Sequence, residues 1–466
     1  MSEQSPNRRF SGVVKVAGAL ISAVLLLVGA GGAVVAVALA PTAEPSAAAT
    51  FTGIAPASDT LRYCPPLSGK STGSLVAIVT GTADNPGFGS GTLQDREISQ
   101  VRTLASAAGG VLTGKPAAGK RTQPVGATRA FVATDTASGL LAGTCMASAQ
   151  ETWLVGGSTV VGRSTRLYLQ NIAESSTSVR LEAYGSTGRV NLTNANWTLK
   201  PGENTTVPLE AKIPDEERLA VRVVADGPGV VAWMVSDGTE KVHTIGADLI
   251  GPAAGAAKQV VVPGIQFGFD DSAVRIVNPS NRGVKASVRV STDTSEPLVG
   301  AENIEIPAGS VFDVSLSGLS EGIGSLTVSA NRPILASAVT LGADMAWAQS
   351  VSPSADGVLV LPVDGVAAFY ASAATSVNVD TETVDIAVGE TKTVKLKAGV
   401  YPWSAGDVRV AAAAVITGEK AGGLIGGLQD NQVANRHLSA NAALSRAVLP
   451  SLPSADQAAT RRVSVR

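Results

Sequence analysis

Little in this chain is charged, aromatic or nucleophilic. Of 466 residues, 16% are Asp, Glu, Lys or Arg, and 4% are Phe, Trp or Tyr. The 36 basic residues nearly balance 38 acidic ones, for a net charge of −2. That balance excludes the basic face a nucleic acid or other polyanion would need. Two His and two Cys exclude a zinc-ribbon array, an iron–sulfur site and a His-rich metal centre. What is abundant is apolar residue (45%) and Gly (50 residues). The chain is too apolar to be disordered. At about 100–200 residues per domain it is long enough for three or four domains.

The N-terminus speaks to compartment. Residues 16–40 carry no charge, and at 1.5 Å per residue they span roughly 38 Å, enough for a hydrocarbon core of ~30 Å with some tilt. Arg8, Arg9 and Lys15 precede this run, and no Lys or Arg follows until Arg62. The asymmetry predicts a cytoplasmic tail (1–15), a single transmembrane anchor (16–40) and an extracytoplasmic bulk. A cleaved signal peptide is the rival, since Ala38-Leu39-Ala40 has the small-x-small form. The length of the run and Pro41 just after the cut favour the uncleaved anchor. Residues 41–59, rich in Ala, Pro, Thr and Ser, read as a linker. In an oxidising compartment Cys64 and Cys145 are expected to form one disulfide, worth on the order of 3–5 kcal/mol by chain entropy.

Beyond about residue 160 apolar and polar residues alternate, as in Arg166-Leu167-Tyr168-Leu169-Gln170, and Gly, Asn or Asp turns punctuate them. This is strand patterning. A motif also recurs. Leu199-x-x-Gly202-x-x-x-x-Val207-x-Leu209 returns as Ile306-x-x-Gly309-x-x-x-x-Val314-x-Leu316, and again as Ile386-x-x-Gly389-x-x-x-x-Val394-x-Leu396. Asn171 and Asn278 each close the strand upstream of the first two copies, while Pro228 and Pro333 are expected at turns between two strands. The third copy lacks the matching Pro. Val262-Pro263, Leu361-Pro362 and Leu449-Pro450 read as unit ends. The predicted fold is therefore mainly β: one N-terminal transmembrane helix, then tandem immunoglobulin-like β-sandwich units. The units are expected at 60–160 (with the disulfide, and a weakly helical stretch at 104–115), 161–265, 266–363 and 364–452, before a disordered tail at 453–466.

The layout resembles an actinobacterial family of membrane-anchored extracytoplasmic proteins, domain of unknown function 5719. The features that carry the likeness are the short basic N-terminus and single anchor, Cys64-Pro65, Cys145, and Trp153-Leu154-Val155-Gly156-Gly157 leading to Leu167-x-Leu-x-Asn171. The family has no established activity or catalytic residues, so no site residue is carried over. The resemblance implies an envelope component, with a neighbouring envelope protein or glycosyltransferase system as a partner.

Candidate chemistry is thin. Gly109-x-x-x-x-Gly114-Lys115 approaches a phosphate-binding loop, but Pro116 stands where Mg²⁺ needs Ser or Thr. His243 and His437 are the only imidazoles, and no Gly-x-Ser-x-Gly elbow is present. Asp270-Asp271 and Asp215-Glu216-Glu217 are the densest acidic clusters, and neither has a calcium-loop spacing. Trp153, Trp197, Trp233, Trp347 and Trp403 would serve as core plugs or as platforms for sugar rings. No catalytic residue, cofactor or metal ligand is expected. The reading is a non-enzymatic, membrane-anchored envelope scaffold or partner subunit, with a cell-wall glycan-binding or glycan-processing protein as the alternative.

Overall fold

The structure is a computed structural model. It describes residues 59–418, apart from 70, 82, 84, 106–108, 118–121, 134–137, 241–242 and 343, together with strands Phe51–Ile54, Ala434–Ser439 and Thr460–Val463. The fold is mainly β, as expected. One 3-10 turn, Leu209–Ala211, is the only helical element among the described residues. The apolar run at 16–40 lies outside the described residues, and none of the described helices is long and apolar enough to cross a membrane.

One strand order recurs four times. In the second repeat a first sheet runs Glu151–Val155, Ala220–Ala225, Thr177–Gly185, Gly188–Val190. Its second sheet runs Asn204–Pro208, Arg163–Gln170, Val231–Glu240, His243–Ile250. The first repeat follows this order too, as Thr60–Cys64, Gly110–Gly114, Gly91–Leu93, Arg96–Ile98, then Arg102–Leu104, Ser71–Gly81, Gln123–Ala133, Ser138–Thr144, with an additional short strand Pro86–Phe88 beside Ser71–Gly81. So has the fourth: Asp356–Leu361, Gly399–Ser404, Thr375–Val379, Glu382–Ile386, then Thr391–Leu396, Gly365–Ala371, Val410–Gly418, Ala434–Ser439. The third, from Ala257–Phe267 to Met345–Gln349, differs in one respect. Its 20-residue strand Gly322–Leu341 serves both sheets, pairing through its first half with Ala257–Phe267 and Val284–Ser291 and through its second with Ala273–Val277 and Met345–Gln349.

The sequence motif marks equivalent places. Gly202, Gly309 and Gly389 adopt φ of 73°, 68° and 78°, the left-handed conformation that a residue with a Cβ resists. Asn171 and Asn278 are fully buried. Asn171 Nδ2 donates to the carbonyls of Ser175, Leu199 and Lys200, and Asn278 Nδ2 to those of Arg282, Ile306 and Pro307. Each side chain thus satisfies loop carbonyls that would otherwise be buried without partners. In the fourth repeat Ala371 takes that place, its N–H bonding Glu390 O as Asn171 bonds Glu203 O and Asn278 bonds Ser310 O.

Four expectations are corrected. Pro228 does sit in a turn, between Gly227 and Gly229, both at positive φ. Pro333 does not: it lies within Gly322–Leu341, where ladder partners change, because no second Gly follows it and the chain stays extended. The unit boundaries also move. Strands Glu151–Val155, Ala257–Phe267 and Asp356–Leu361 open the following repeat rather than closing the previous one. An apolar strand reads alike in either role. The described residues of 104–115 are not helical; Arg102–Leu104 and Gly110–Gly114 are strands, since the Gly pair favours extension over a helix interior. Finally, the tail expected to be disordered contributes Thr460–Val463, antiparallel to Phe51–Ile54, each segment supplying the other's backbone partners. That pair belongs to a unit of its own, Met1–Ala55 with Ala459–Arg466; the four repeats lie in the other, Pro56–Ala458.

In each repeat the second sheet is buried on both faces. In the first, Val76 and Ile78 face the disulfide-bearing core, while Leu75, Ala77 and Val79 join the core of the fourth. In the second, Ala232 and Met234 face inward, and Val231, Trp233 and Val235 pack on the first. In the third, Ile276 and Ala336 face inward, and Val277 and Leu335 pack on Trp153 and Val155 of the second. In the fourth, Ala412 and Ala414 face inward, and Tyr370 and Ala411 meet Val261 and Val351 of the third. The packing is head to tail, and the first repeat seats on the fourth, so the ring closes. The last strands, Ser138–Thr144, His243–Ile250, Met345–Gln349 and Ala434–Ser439, each lie beside the next around its centre. Burial on both faces explains why Val230–Val235 and Ala411–Ala414 are continuously apolar rather than alternating. The expected disulfide is present: Cys64 and Cys145, both fully buried, join the first strand of the first repeat to the residue after its last.

Candidate functional site

The residues singled out by the sequence do not converge. His243 begins one central strand and His437 lies in another. Asp270 and Asp271 are exposed in a turn. Glu216 accepts from the Ser186 N–H at 2.9 Å and the Arg218 N–H at 3.2 Å, which makes it a loop tie. Gly110–Gly114 is a strand bonded on both sides, to Thr60–Cys64 and Gly91–Leu93, so its N–H groups are not arranged to cradle a phosphate. Among the described residues no three His, Cys, Asp or Glu side chains gather as a metal site would require.

The buried carboxylates that the fold does assemble hold the repeats together. At the centre Asp344 of the third repeat accepts from the Leu140 N–H of the first at 2.8 Å and the Ala247 N–H of the second at 3.1 Å. Asp248 of the second accepts from the Trp347 N–H of the third at 2.6 Å. Between the second and third repeats Arg275, 4% exposed, forks onto Asp313 at 2.9 and 2.8 Å and donates to Gly157 O at 2.6 Å. Its guanidinium also lies 5.1 Å from the centre of the Trp347 ring, close enough for a cation–π contact. The Gly156-Gly157 pair is what admits this: a Cβ on Gly156 would stand 2.9 Å from Trp347 Cε3.

On the outer face of the first sheet of the second repeat, Glu182 receives Arg180 at 2.7 Å, Arg189 at 3.0 Å and Arg222 at 3.2 Å. Burial pushes the Glu182 carboxyl up, but the Arg222 hydrogen bond and the three positive charges outweigh it and hold it below its ordinary value. Asp237 goes the other way: burial raises it, and the neighbouring Arg166 only partly opposes this.

Next to the Glu182 cluster, at the sheet edge, runs an open groove of about 480 Å³ lined by Arg180, Asn196, Trp197, Thr198 and Asp226. Cross-strand register sets Trp197 opposite Val179 and Asn196 opposite Arg180. The Ser178 N–H holds Asp226 Oδ1 at 2.7 Å. Trp197 also borders a small void of about 10 Å³ lined by Leu181, Leu209, Ile213 and Val221, on the core-facing side of the sheet that it shares with Val179, whereas Asn196 and Thr198 alternate to the other face. It is half-buried, whereas Trp153, Trp233, Trp347 and Trp403 are 1–5% exposed. Those four are plugs: Trp153 against Tyr184, Trp233 against Tyr63 and Tyr168, Trp347 under Arg275, Trp403 against Phe369. Reading the sequence did not separate Trp197 from the rest. The available signal was its polar flanks, Asn196 and Thr198, where Trp233 and Trp347 have apolar ones.

No curated protein matches the chain. A family model, described as a family of unknown function (DUF5719), matches residues 100–401, from within the first repeat to within the fourth. That span includes the Gly156-Gly157 joint, the Asn171 and Asn278 ties and the groove, and the chain belongs to this family.

Proposed function

We propose that this protein is a membrane-anchored, extracytoplasmic platform for cell-envelope machinery, acting by presenting surfaces rather than by catalysis. The observation that carries the proposal is the closed head-to-tail ring: packing of all four repeats, the first on the fourth, makes a rigid body whose loops keep fixed positions. Each repeat is taken as an immunoglobulin-like sandwich, a reading supported by two facing antiparallel sheets whose strands interleave in sequence. The buried carboxylates Asp344, Asp248 and Glu182 accept from backbone N–H groups or arginines, which suits a structural role better than proton transfer. The Cys64–Cys145 bond fits an oxidising space, and the apolar run at 16–40 behind three basic residues fits an anchor with a cytoplasmic N-terminus.

The test is a complementation experiment in a strain lacking the protein. The full chain, and variants at His243, His437, Asp270 or Asp271, should restore the envelope. An ectodomain cut free of residues 1–40 should fail, because tethering sets the local concentration. Full rescue by the released ectodomain, with loss in one of those point variants, would replace the platform with an enzyme.

A further inference from the structure

We infer that the first repeat is a redox-latched gate of the ring, closed on the second and fourth repeats only while Cys64 and Cys145 are bonded. This goes beyond the platform reading and does not depend on it. The later two turn glycines are seated on the repeat before them. A Cβ on Gly309 would stand 3.1 Å from Arg189 N in the second repeat, and one on Gly389 3.2 Å from Ser295 Cβ in the third. Beside Gly389 the Thr391 N–H donates to Thr292 O at 2.8 Å, and Lys392 meets Asp293 at 2.8 Å. Gly202 is the equivalent turn of the second repeat, and a Cβ there would meet nothing within 4 Å among the described residues. The hairpin tip of the first repeat folds back on itself instead, with Gln94 Nε2 donating to Gly109 O. The first repeat also has little interior of its own. Among the described residues it is Val76, Ile78, Leu93, Ile98 and Leu112 around the two sulfurs, with no aromatic ring. The third has Phe267 and the fourth Phe369 and Trp403. Other apolar side chains of the first repeat serve its neighbours: Leu75, Ala77 and Val79 join the fourth, and Leu67 and Met146 the second. A unit with so small a core is the kind that a covalent staple sustains. The bond stands where it is needed. Cys64 directly follows Tyr63, and Cys145 directly precedes Met146. Tyr63 and Met146 exchange backbone hydrogen bonds at 2.7 and 2.8 Å, and both pack in the apolar cluster of Trp233. Breaking the bond frees strand Thr60–Cys64 from the end of Ser138–Thr144, and with it the contacts to both neighbours. The break takes two electrons and two protons, which a dithiol supplies. One thiolate attacks a sulfur of the bond, the second displaces the mixed disulfide, and the dithiol leaves oxidised while Cys64 and Cys145 become thiols. Both cysteines are fully buried, so attack waits for the first repeat to part from its neighbours.

The experiment uses the full chain in mild detergent, with dithiothreitol as the dithiol. Hydrogen exchange read by mass spectrometry follows each repeat, and iodoacetamide traps free thiols. Both thiols should become trappable below the guanidinium concentration that unfolds the third repeat. Amide protection in residues 60–144 should then fall roughly tenfold or more, while residues 257–349 keep theirs. The Cys64→Ala/Cys145→Ala variant should show the same pattern without reductant. If that variant does not fold, the reduced wild-type chain carries the test. Three results overturn the inference: thiols trapped only where the third repeat unfolds, protection lost equally in all repeats, or protection of the first repeat unchanged once both thiols are trapped. Each leaves the tethering experiment untouched, so the two readings fail separately.

Discussion

The joint between the first and second repeats and the joint between the second and third use the same geometry and both bury apolar surface, but only the later one adds a buried arginine with its acidic partner. Both place the outer face of a second sheet on the preceding repeat. In the earlier joint the contact is aromatic and aliphatic: Trp233 stacks on Tyr168 at 5.3 Å, meets Tyr63 at 5.7 Å, and is surrounded by Leu67, Met146 and Leu249. In the later one an arginine occupies the middle, with Asp313, the Gly157 carbonyl and the Trp347 ring disposed around it. An apolar joint gains its strength from removed surface and tolerates sliding. A buried ion pair adds little net strength, because desolvation offsets attraction, but it admits only one register. The same architectural contact is therefore adhesive on both sides of the second repeat, and on one side it also carries a registering charge.

Three substitutions sharpen that contrast. The largest effect is expected at the apolar joint: Trp233→Ala should cost about 3–5 kcal/mol in denaturant unfolding, with little dependence on salt. A loss below about 1 kcal/mol would show that the joint contributes little adhesion. Arg275→Met should cost about 3 kcal/mol, because Asp313 and the Gly157 carbonyl lose their buried partner. The double variant Arg275→Met/Asp313→Leu should recover much of that loss, since removing both charges removes the uncompensated one. Were the double variant no better than the single, the registering role would not hold.

Glu182→Gln should have the smallest effect, about 1 kcal/mol near pH 7, because its arginines are partly solvated. The sign of its pH dependence follows from the lowered carboxyl. A folded-state pKa below the unfolded one contributes stability above the ordinary Glu range, and that contribution is lost as pH falls through the folded value. The gap between wild type and variant should thus narrow as pH falls below the ordinary Glu range of about 4.3 and through the lower folded value. A gap that widened on acidification would mean that burial, not the arginines, governs Glu182.

Much of this was legible from residues alone because the signals were local. A Gly at fixed distance from alternating apolar residues demands a turn between strands wherever it occurs, so the copies around Gly202, Gly309 and Gly389 could be aligned without coordinates. Asn171 and Asn278 were visible as strand closers, although the three carbonyls each binds were not. Trp197 shows the opposite case. Its half-exposure depends on lying at a sheet edge, and edge position is a property of pairing, not of composition.

The amino-acid sequence by itself determined the strand content, the recurrence and the pairing of its only two cysteines, because these depend on side-chain period, turn chemistry and elimination. Tertiary structure alone decided that the repeats close into a ring, where one ends and the next begins, that Pro333 lies inside a strand, and that a single tryptophan borders an open groove. These outcomes rest on contacts between residues far apart in the chain, such as Asp344 with Leu140 and Ala247. No local pattern encodes which distant face a buried strand will meet.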